Sequence, residues 1–503
     1  LFLLVGISIA LLSLIIQVRP RFSIRHFGVD GWRHLMVGDF IRENKHYPKW
    51  MDKFLIEAPS DYPPGLRFLL AAFPKEFIKK YEWLVSPAID FIHNLFIFGF
   101  VYYLSHSLIL AVMAQIIYLS APLTIMENSN LSTRSFASLL FSLTFIGILL
   151  FSIHSSWLLF IYCVVMVCIL LLSHRMSVQT IFFTCIFFSI YELSITFIGI
   201  YLLGTLLAII VSKGFYLKIF KGHLAMLEFW RQHIEFRYAH EVRGLPKKGE
   251  KSDDMVFNLY QKVRSAPFIA VFAANPAIVL VFLFMVLRAI NGPVVYDGLP
   301  QALIAKFIPW SIFLLAVGII IRSFKSVEHM GEGERYIEYA GLPIAVIGSL
   351  TVYYLYSINP ILTVIGFVFL ILFTELIPAF YIQQKVIIND KERSVSKDLW
   401  EIFDYIDKIE GEARLMCIPQ LMSTSVMYFT KAKTLCTDNS IAHITDLADI
   451  LPIIKKPLEE VFKKYNINYF LLNEHYAKLD ELKLDRDAIK VVKESGTFLL
   501  LKV

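Results

Sequence analysis

Long apolar runs govern what this chain can become. They fall near residues 1–17, 86–104, 107–125, 135–152, 157–173, 178–194, 197–212, 268–288, 305–322, 340–357 and 360–381. Each approaches the roughly 17–25 residues that carry an α-helix across a bilayer. The stretch 178–212 is too long for one span and is divided at Glu192–Ser194, where a charge and a small polar residue suit a tight turn. The expectation is a polytopic α-helical membrane protein with about eleven spans. Only 18% of its 503 residues are charged and 57% are hydrophobic, outside the balance of a soluble domain. The first residue, Leu1, already lies inside an apolar run, so a preceding segment is expected.

Three hydrophilic segments interrupt or follow the runs: 18–85, 213–267 and 382–503. With the division at Glu192, all three emerge on one face of the membrane; without it, the first would lie opposite the others. Short loops carry almost no charge, and long segments translocate largely regardless of theirs, so the positive-inside rule leaves orientation open. The tail, 382–503, alternates helix and strand patterns. Helices are expected at 396–409 and 457–465, and strands at 413–418, 467–472 and 496–503, giving a small α/β domain. Two domains follow: 1–381 in the membrane with loops 18–85 and 213–267, and 382–503 in water.

The net charge of +6 suits anionic lipid headgroups or a phosphorylated lipid better than nucleic acid, for which no binding signature is present. Cys163, Cys168 and Cys185 lie in apolar runs as small core residues, while Cys417 and Cys436 could pair in an oxidising compartment. Segment 213–267 mixes Lys218, Lys221, His223 and Arg231 with Phe220 and Trp230. That suits an interfacial amphipathic helix, as anchor or as cover over a lipid.

The most informative text is in the first long loop. Residues 28–50 read GVDGWRHLMVGDFIRENKHYPKW, and 61–70 read DYPPGLRFLL. An amphipathic helix is expected from Asp30 to Arg42, with Leu35, Met36 and Phe40 on its apolar side and Arg33, His34 and Asp39 on its polar side. Asp30 then either caps this helix or serves as a catalytic carboxylate. Further along, Arg134 begins an apolar helix and can be read as interfacial snorkelling or as an anion ligand. Arg335, in SFKSVEHMGEGERYIEYA at 323–340, is either a phosphate ligand or one member of a solvated charge cluster with Glu332 and Glu334.

An Asp just beyond the first span, with Tyr62-Pro63-Pro64 later in the same loop, resembles the GT-C class of membrane glycosyltransferases. Protein O-mannosyltransferases and the aminoarabinose transferase of lipid A belong to that class. The resemblance implies a polyprenyl-phosphate-linked sugar as donor, and a lipid, glycan or protein hydroxyl as acceptor. It puts the active site and the tail outside the cytoplasm, and it implies inversion at the anomeric carbon. By residue, it implies Asp30 as general base, with His34 and Asp61 orienting it or the acceptor. Arg335, Arg134, His174 and Tyr336 would serve the donor phosphate, and Glu127 and Glu332 are possible accessory acids. No Trp-Trp-Asp and no Asp-x-Asp in the short second external loop is present. The first argues against asparagine glycosylation, and the second leaves a divalent metal on Asp30, Asp61 and Glu127 without support. The rival readings are a multi-pass transporter, and a non-catalytic membrane subunit whose tail binds a partner.

Overall fold

The computed structural model describes residues 2–245, 266–292, 300–482, 484 and 489–503. Part of the expected 213–267 segment, at 246–265, lies outside the described residues. The chain divides into two compact units. One comprises Leu1–Pro20, Trp83–Tyr216 and Ser252–Lys385, and the other Arg21–Glu82, Leu217–Lys251 and Val386–Val503.

Every apolar run is helical. Phe2–Phe22, Lys75–Ser105, Arg134–His154, Gln301–Ser323, Gly341–Ile358 and Pro360–Ile388 are each long and apolar enough to cross a membrane. Trp157–Leu171 and Arg175–Tyr191 are shorter apolar helices, and the latter ends at the expected Glu192 break before Thr196–Val211 begins. Two runs expected to be single spans are broken. Leu108–Ser120 and Pro122–Asn128 meet at 64°, and Pro267–Ala274 and Ile278–Asn291 at 95°. Pro122 and Pro276 explain the breaks, since proline supplies no N–H to continue a helix. Backbone groups freed inside a membrane must find partners in the protein. Glu375 provides one at the second break, where its carboxylate accepts the Ala277 N–H at 2.9 Å, and it also accepts the Ser120 side-chain hydroxyl beside the first.

A second buried network, absent from the sequence reading, centres on Asp90. Asp90 accepts from Gln17 Nε2 (2.5 Å) and Ser13 Oγ (3.2 Å). The Tyr118 hydroxyl donates to Asp90 Oδ1 (2.8 Å) and lies 2.7 Å from His93 Nδ1, whose Nε2 meets Ser142 Oγ at 3.0 Å. These contacts fasten helices Phe2–Val18, Lys75–Ser105, Leu108–Ser120 and Arg134–His154 to one another. Glu192 pairs with Lys306.

The other unit is built on a five-stranded sheet. Strands β1 (Arg414–Ile418), β2 (Lys433–Thr434), β3 (Tyr469–Asn473), β4 (Lys490–Ser495) and β5 (Phe498–Lys502) are ordered β2-β1-β3-β5-β4. The first three are parallel, and β5 and β4 close the sheet antiparallel. Helices Lys397–Lys408 and Leu458–Tyr465 match the expected pair, and the Ser396 hydroxyl caps the first by accepting the Leu399 N–H. Strands β2 and β4 went unforeseen, being short or exposed and charged. Cys417 and Cys436 are both buried and unpaired as thiols.

The tail does not close its own core. Ile56 from the first loop packs with Met416, Ile418, Phe470 and Leu472, and Val242 packs against the same cluster. Met36, Val37, Ile41, Met51 and Phe54 from the first loop bury themselves with Met427 and Cys436. Phe54 bridges to Thr434 beside the β2 edge. Three segments that share one hydrophobic core must lie on one face of a membrane. Cysteines placed at the exposed positions Lys49, Arg231 and Lys464 should therefore react together, or not at all, with a membrane-impermeant maleimide applied to intact cells. One site reacting without the others would break the shared core.

Candidate active site

In the sheet-bearing unit, Asp30 is the first residue of helix Asp30–Asn44, and the N-cap position falls on Val29. The capping role open to it in the sequence is therefore not the one it takes. A carboxylate in the first turn still meets the positive end of the helix dipole. The Asp30 side chain is 73% exposed and lies 3.8 Å from Arg33 Nη1. Arg33 in turn reaches Cys436 Sγ at 3.1 Å.

His34, expected on the polar face, is buried. Its Nδ1 accepts from Arg67 Nε at 3.2 Å, and its ring centroid lies 5.2 Å from that of Tyr62. Arg67 has no exposed side-chain surface. Its Nη1 and Nη2 fork onto the Asp438 carboxylate at 2.5 and 2.7 Å, and Nη1 also donates to the Tyr47 hydroxyl. Ser60 donates to Asp438 as well, and the Tyr62 ring lies under the guanidinium at 5.0 Å. Burial alone would raise the Asp438 pKa, but the guanidinium outweighs it and holds the carboxyl at about 2. Burial, then Arg67, push His34 well below its ordinary value.

Asp61 is turned toward the tail. It accepts the Ser440 N–H at 2.7 Å and the Ser440 hydroxyl at 3.1 Å, where helix Ser440–Thr445 begins. A side chain at Gly222 would collide with the Asp61 carboxylate, so helix Phe215–His233 can approach only because that position is glycine. The Asp-Tyr-Pro-Pro text thus joins all three hydrophilic segments.

The membrane-spanning unit holds the remaining candidates. Arg134 lies between two carboxylates: Nη2 and Nε meet Glu338 Oε2 at 2.6 and 3.2 Å, and Nη1 pairs with Glu127. Arg134 and Glu338 are almost wholly buried, so Arg134 does not snorkel, whereas the Glu127 side chain is 32% exposed. Arg335 is 32% exposed and pairs with Glu332 at 2.6 Å, as the solvated-loop reading anticipated. It lies close enough to the Arg134 group to feel the charges of Arg134 and Glu127. Its loop is pressed onto helix Gln301–Ser323, because Gly333 and Gly318 let the two backbones touch. Tyr336 is fully buried, its hydroxyl meeting Gln179 Nε2 at 2.7 Å and the Met330 carbonyl at 3.1 Å. His174 is buried with Nδ1 3.3 Å from the Tyr339 hydroxyl. Tyr336 and His174 therefore wall the loop in.

The same unit has an apolar cleft of about 1150 Å³, lined by residues such as Phe268, Phe272, Leu283, Leu355, Leu362 and Phe369. Among the described residues, no group of three His, Cys, Asp or Glu side chains is placed to hold a metal ion.

Breaking a buried ion pair from one side typically costs about 3–5 kcal/mol. Arg67→Met and Asp438→Asn should each lower the thermal midpoint of the detergent-solubilised protein by several degrees, with Arg67→Lys intermediate because it lacks the fork. Acid should act in the same direction. The folded pKa values of His34 and Asp438 are both depressed, so their stability is present above the unfolded values of about 6.5 and 3.9 and lost as pH falls through the folded ones. His34→Gln should flatten the fall that begins near pH 6.5; an unchanged pH profile would remove His34 from the network.

No protein-family model matches the sequence, and no curated protein matches it. One solved structure, ArnT from Cupriavidus metallidurans bound to undecaprenyl phosphate, is similar over 99% of this chain and 97% of its own, with a TM-score of 0.50 and 10% identity. ArnT from the same organism in the apo state covers the same shares at a TM-score of 0.41 and 11% identity. At such identity the likeness speaks for the fold. The chain has an ArnT-like fold.

Proposed function

We propose that the protein is a membrane glycosyltransferase that moves a sugar from a polyprenyl-phosphate donor to an acceptor hydroxyl outside the cytoplasm. The observation that carries this reading is Arg335: a partly exposed guanidinium, braced by a glycine-mediated backbone contact, in a fold shared with a protein solved with undecaprenyl phosphate. The apolar cleft has the size and lining for an isoprenoid chain. Arg335 holds the donor phosphate, exchanging Glu332 for a phosphate oxygen. A guanidinium fork stabilises the charge that develops there as the glycosidic bond breaks.

Asp30 acts as general base. It is exposed where an acceptor hydroxyl can approach, and no helix cap consumes its oxygens. The acceptor oxygen attacks the anomeric carbon, its proton passes to Asp30, and the bond to the phosphate oxygen breaks with its electrons going to the leaving group. Attack from the face opposite the phosphate inverts the centre. His34 and Asp61 act at one remove, fixing the loop that presents Asp30. Arg134, held by Glu127 and Glu338, contributes to the field around the phosphate.

Reconstituted protein supplied with polyprenyl-phosphate-linked sugars provides the test. Asp30→Asn should lower turnover by about 10²–10⁴-fold while leaving donor binding near wild type. Arg335→Ala should weaken donor binding strongly, Arg335→Lys should recover part of it, and Lys325→Ala should have little effect. Equal losses from Arg335→Ala and Lys325→Ala would reduce the site to a diffuse basic patch. Wild-type turnover in Asp30→Asn would remove it as base.

A further inference from the structure

We propose that the first half of helix Phe215–His233 docks on the bilayer surface, with Leu217, Phe220 and Leu224 inserted at the acyl-chain boundary and Lys218 and Lys221 against anionic lipid headgroups. The helix has two apolar faces. One is buried: Ile219, Phe229 and His233 have little exposed surface, Gly222 lies against the Asp61 carboxylate, and the Phe229 ring is 5.8 Å from that of His443. These positions seat the helix on the first loop and on the tail. The other face is open. At about 3.6 residues per turn, Leu217, Phe220 and Leu224 fall along one side, turned away from the buried set, and they are 45–50% exposed. Large apolar side chains in a row on an open helix face mark a docking surface.

Chain continuity names the occupant. The apolar helix Thr196–Val211 ends with Ile210 and Val211 exposed, as side chains that face lipid are. Only residues 212–216 separate Val211 from Leu217, so the stripe begins at most about 20 Å from the end of that helix. Lys213 and Gly214 have φ of 50° and 81° in this stretch, which ends the first helix and redirects the chain before the second begins. An apolar stripe so close to lipid-facing residues meets the bilayer before it meets a soluble partner. The charges then choose the headgroup. No acidic residue lies between Phe215 and Leu227. Lys218 and Lys221 are exposed, and among the described residues no carboxylate pairs with either, whereas Arg231 further along is neutralised by Glu228. Lysines beside an inserted apolar stripe are drawn to a negatively charged leaflet.

Photo-crosslinking tests this on the full chain, reconstituted in nanodiscs of mixed phosphatidylcholine and phosphatidylglycerol. Phe220, Leu224 and, as a water-facing control in the tail, Lys464 are each replaced by photoreactive p-benzoylphenylalanine, and mass spectrometry identifies what they capture. Lipid adducts are expected at positions 220 and 224 and not at 464. Phosphatidylglycerol should exceed its share of the bilayer among those adducts, by about fivefold for each lysine at low salt. Lys218→Gln combined with Lys221→Gln should return the adducts to the composition of the bilayer without moving the thermal midpoint, since both side chains are exposed. Lys218→Arg combined with Lys221→Arg should keep the enrichment. Capture of protein in place of lipid at positions 220 and 224 would overturn the docking. Lipid adducts that match the bilayer composition in the wild-type background, or an enrichment that survives the double glutamine change, would equally overturn the proposal, because the lysines would then select no headgroup.

Discussion

Arg67 and Asp438 are 371 residues apart in sequence and meet in the interior of the sheet-bearing unit. A guanidinium and a carboxylate removed from water are tolerated only when paired and hydrogen-bonded, and here Tyr47, Ser60 and His34 complete the pairing. The first loop therefore cannot take its shape unless the tail is present. The hydrophobic core repeats the dependence, since Ile56 and Phe54 are buried against tail residues. The helix that presents Asp30 is set by contacts to the end of the chain, so the tail is structural support for the loop chemistry and not an appendage.

The membrane-spanning unit meets a different constraint. Breaking a helix among apolar neighbours exposes peptide groups that water cannot reach, and Glu375 answers this at the break before Ile278 by accepting the Ala277 N–H. Several charges in this unit are paired: Lys306 with Glu192, Arg134 with Glu127 and Glu338, and Arg335 with Glu332. A transporter would suit broken helices and buried ionisable groups. Here those groups bond to one another and to the freed backbone, and the partly exposed guanidinium of Arg335 lies at the edge of the helices.

The helices were legible because spans are read from length and hydropathy, and both properties are local. The division at Glu192 was legible for the same reason. The breaks at Pro122 and Pro276 had a local signal in the prolines, but the apolar runs around them masked it. Asp90 and His93 were overlooked because single polar residues barely alter the hydropathy of a long run. In the tail, β1, β3 and β5 announced themselves as apolar runs. Strand β4, with its exposed charged residues, needed its partner to exist as a strand. The candidate site was legible only in part. Asp30, the Tyr-Pro-Pro text and Arg335 could be singled out by placement, whereas the partners of Arg67 and Arg134 lie hundreds of residues away and leave no mark in the local sequence. His34 misled because helical periodicity placed it on a polar face, and Arg67 and Tyr62 from later in the same loop then pack against it.

The central claim is that Arg335 holds a lipid phosphate whose isoprenoid chain lies in the apolar cleft. An experimental structure of the protein with polyprenyl phosphate in nanodiscs tests this most directly. The account predicts phosphate oxygens within hydrogen-bond distance of the Arg335 guanidinium, Glu332 displaced from it, and the chain passing Phe268, Phe272 and Leu362. A phosphate seated on other side chains with the Arg335–Glu332 pair intact, or a cleft that stays empty at saturating lipid, would contradict it.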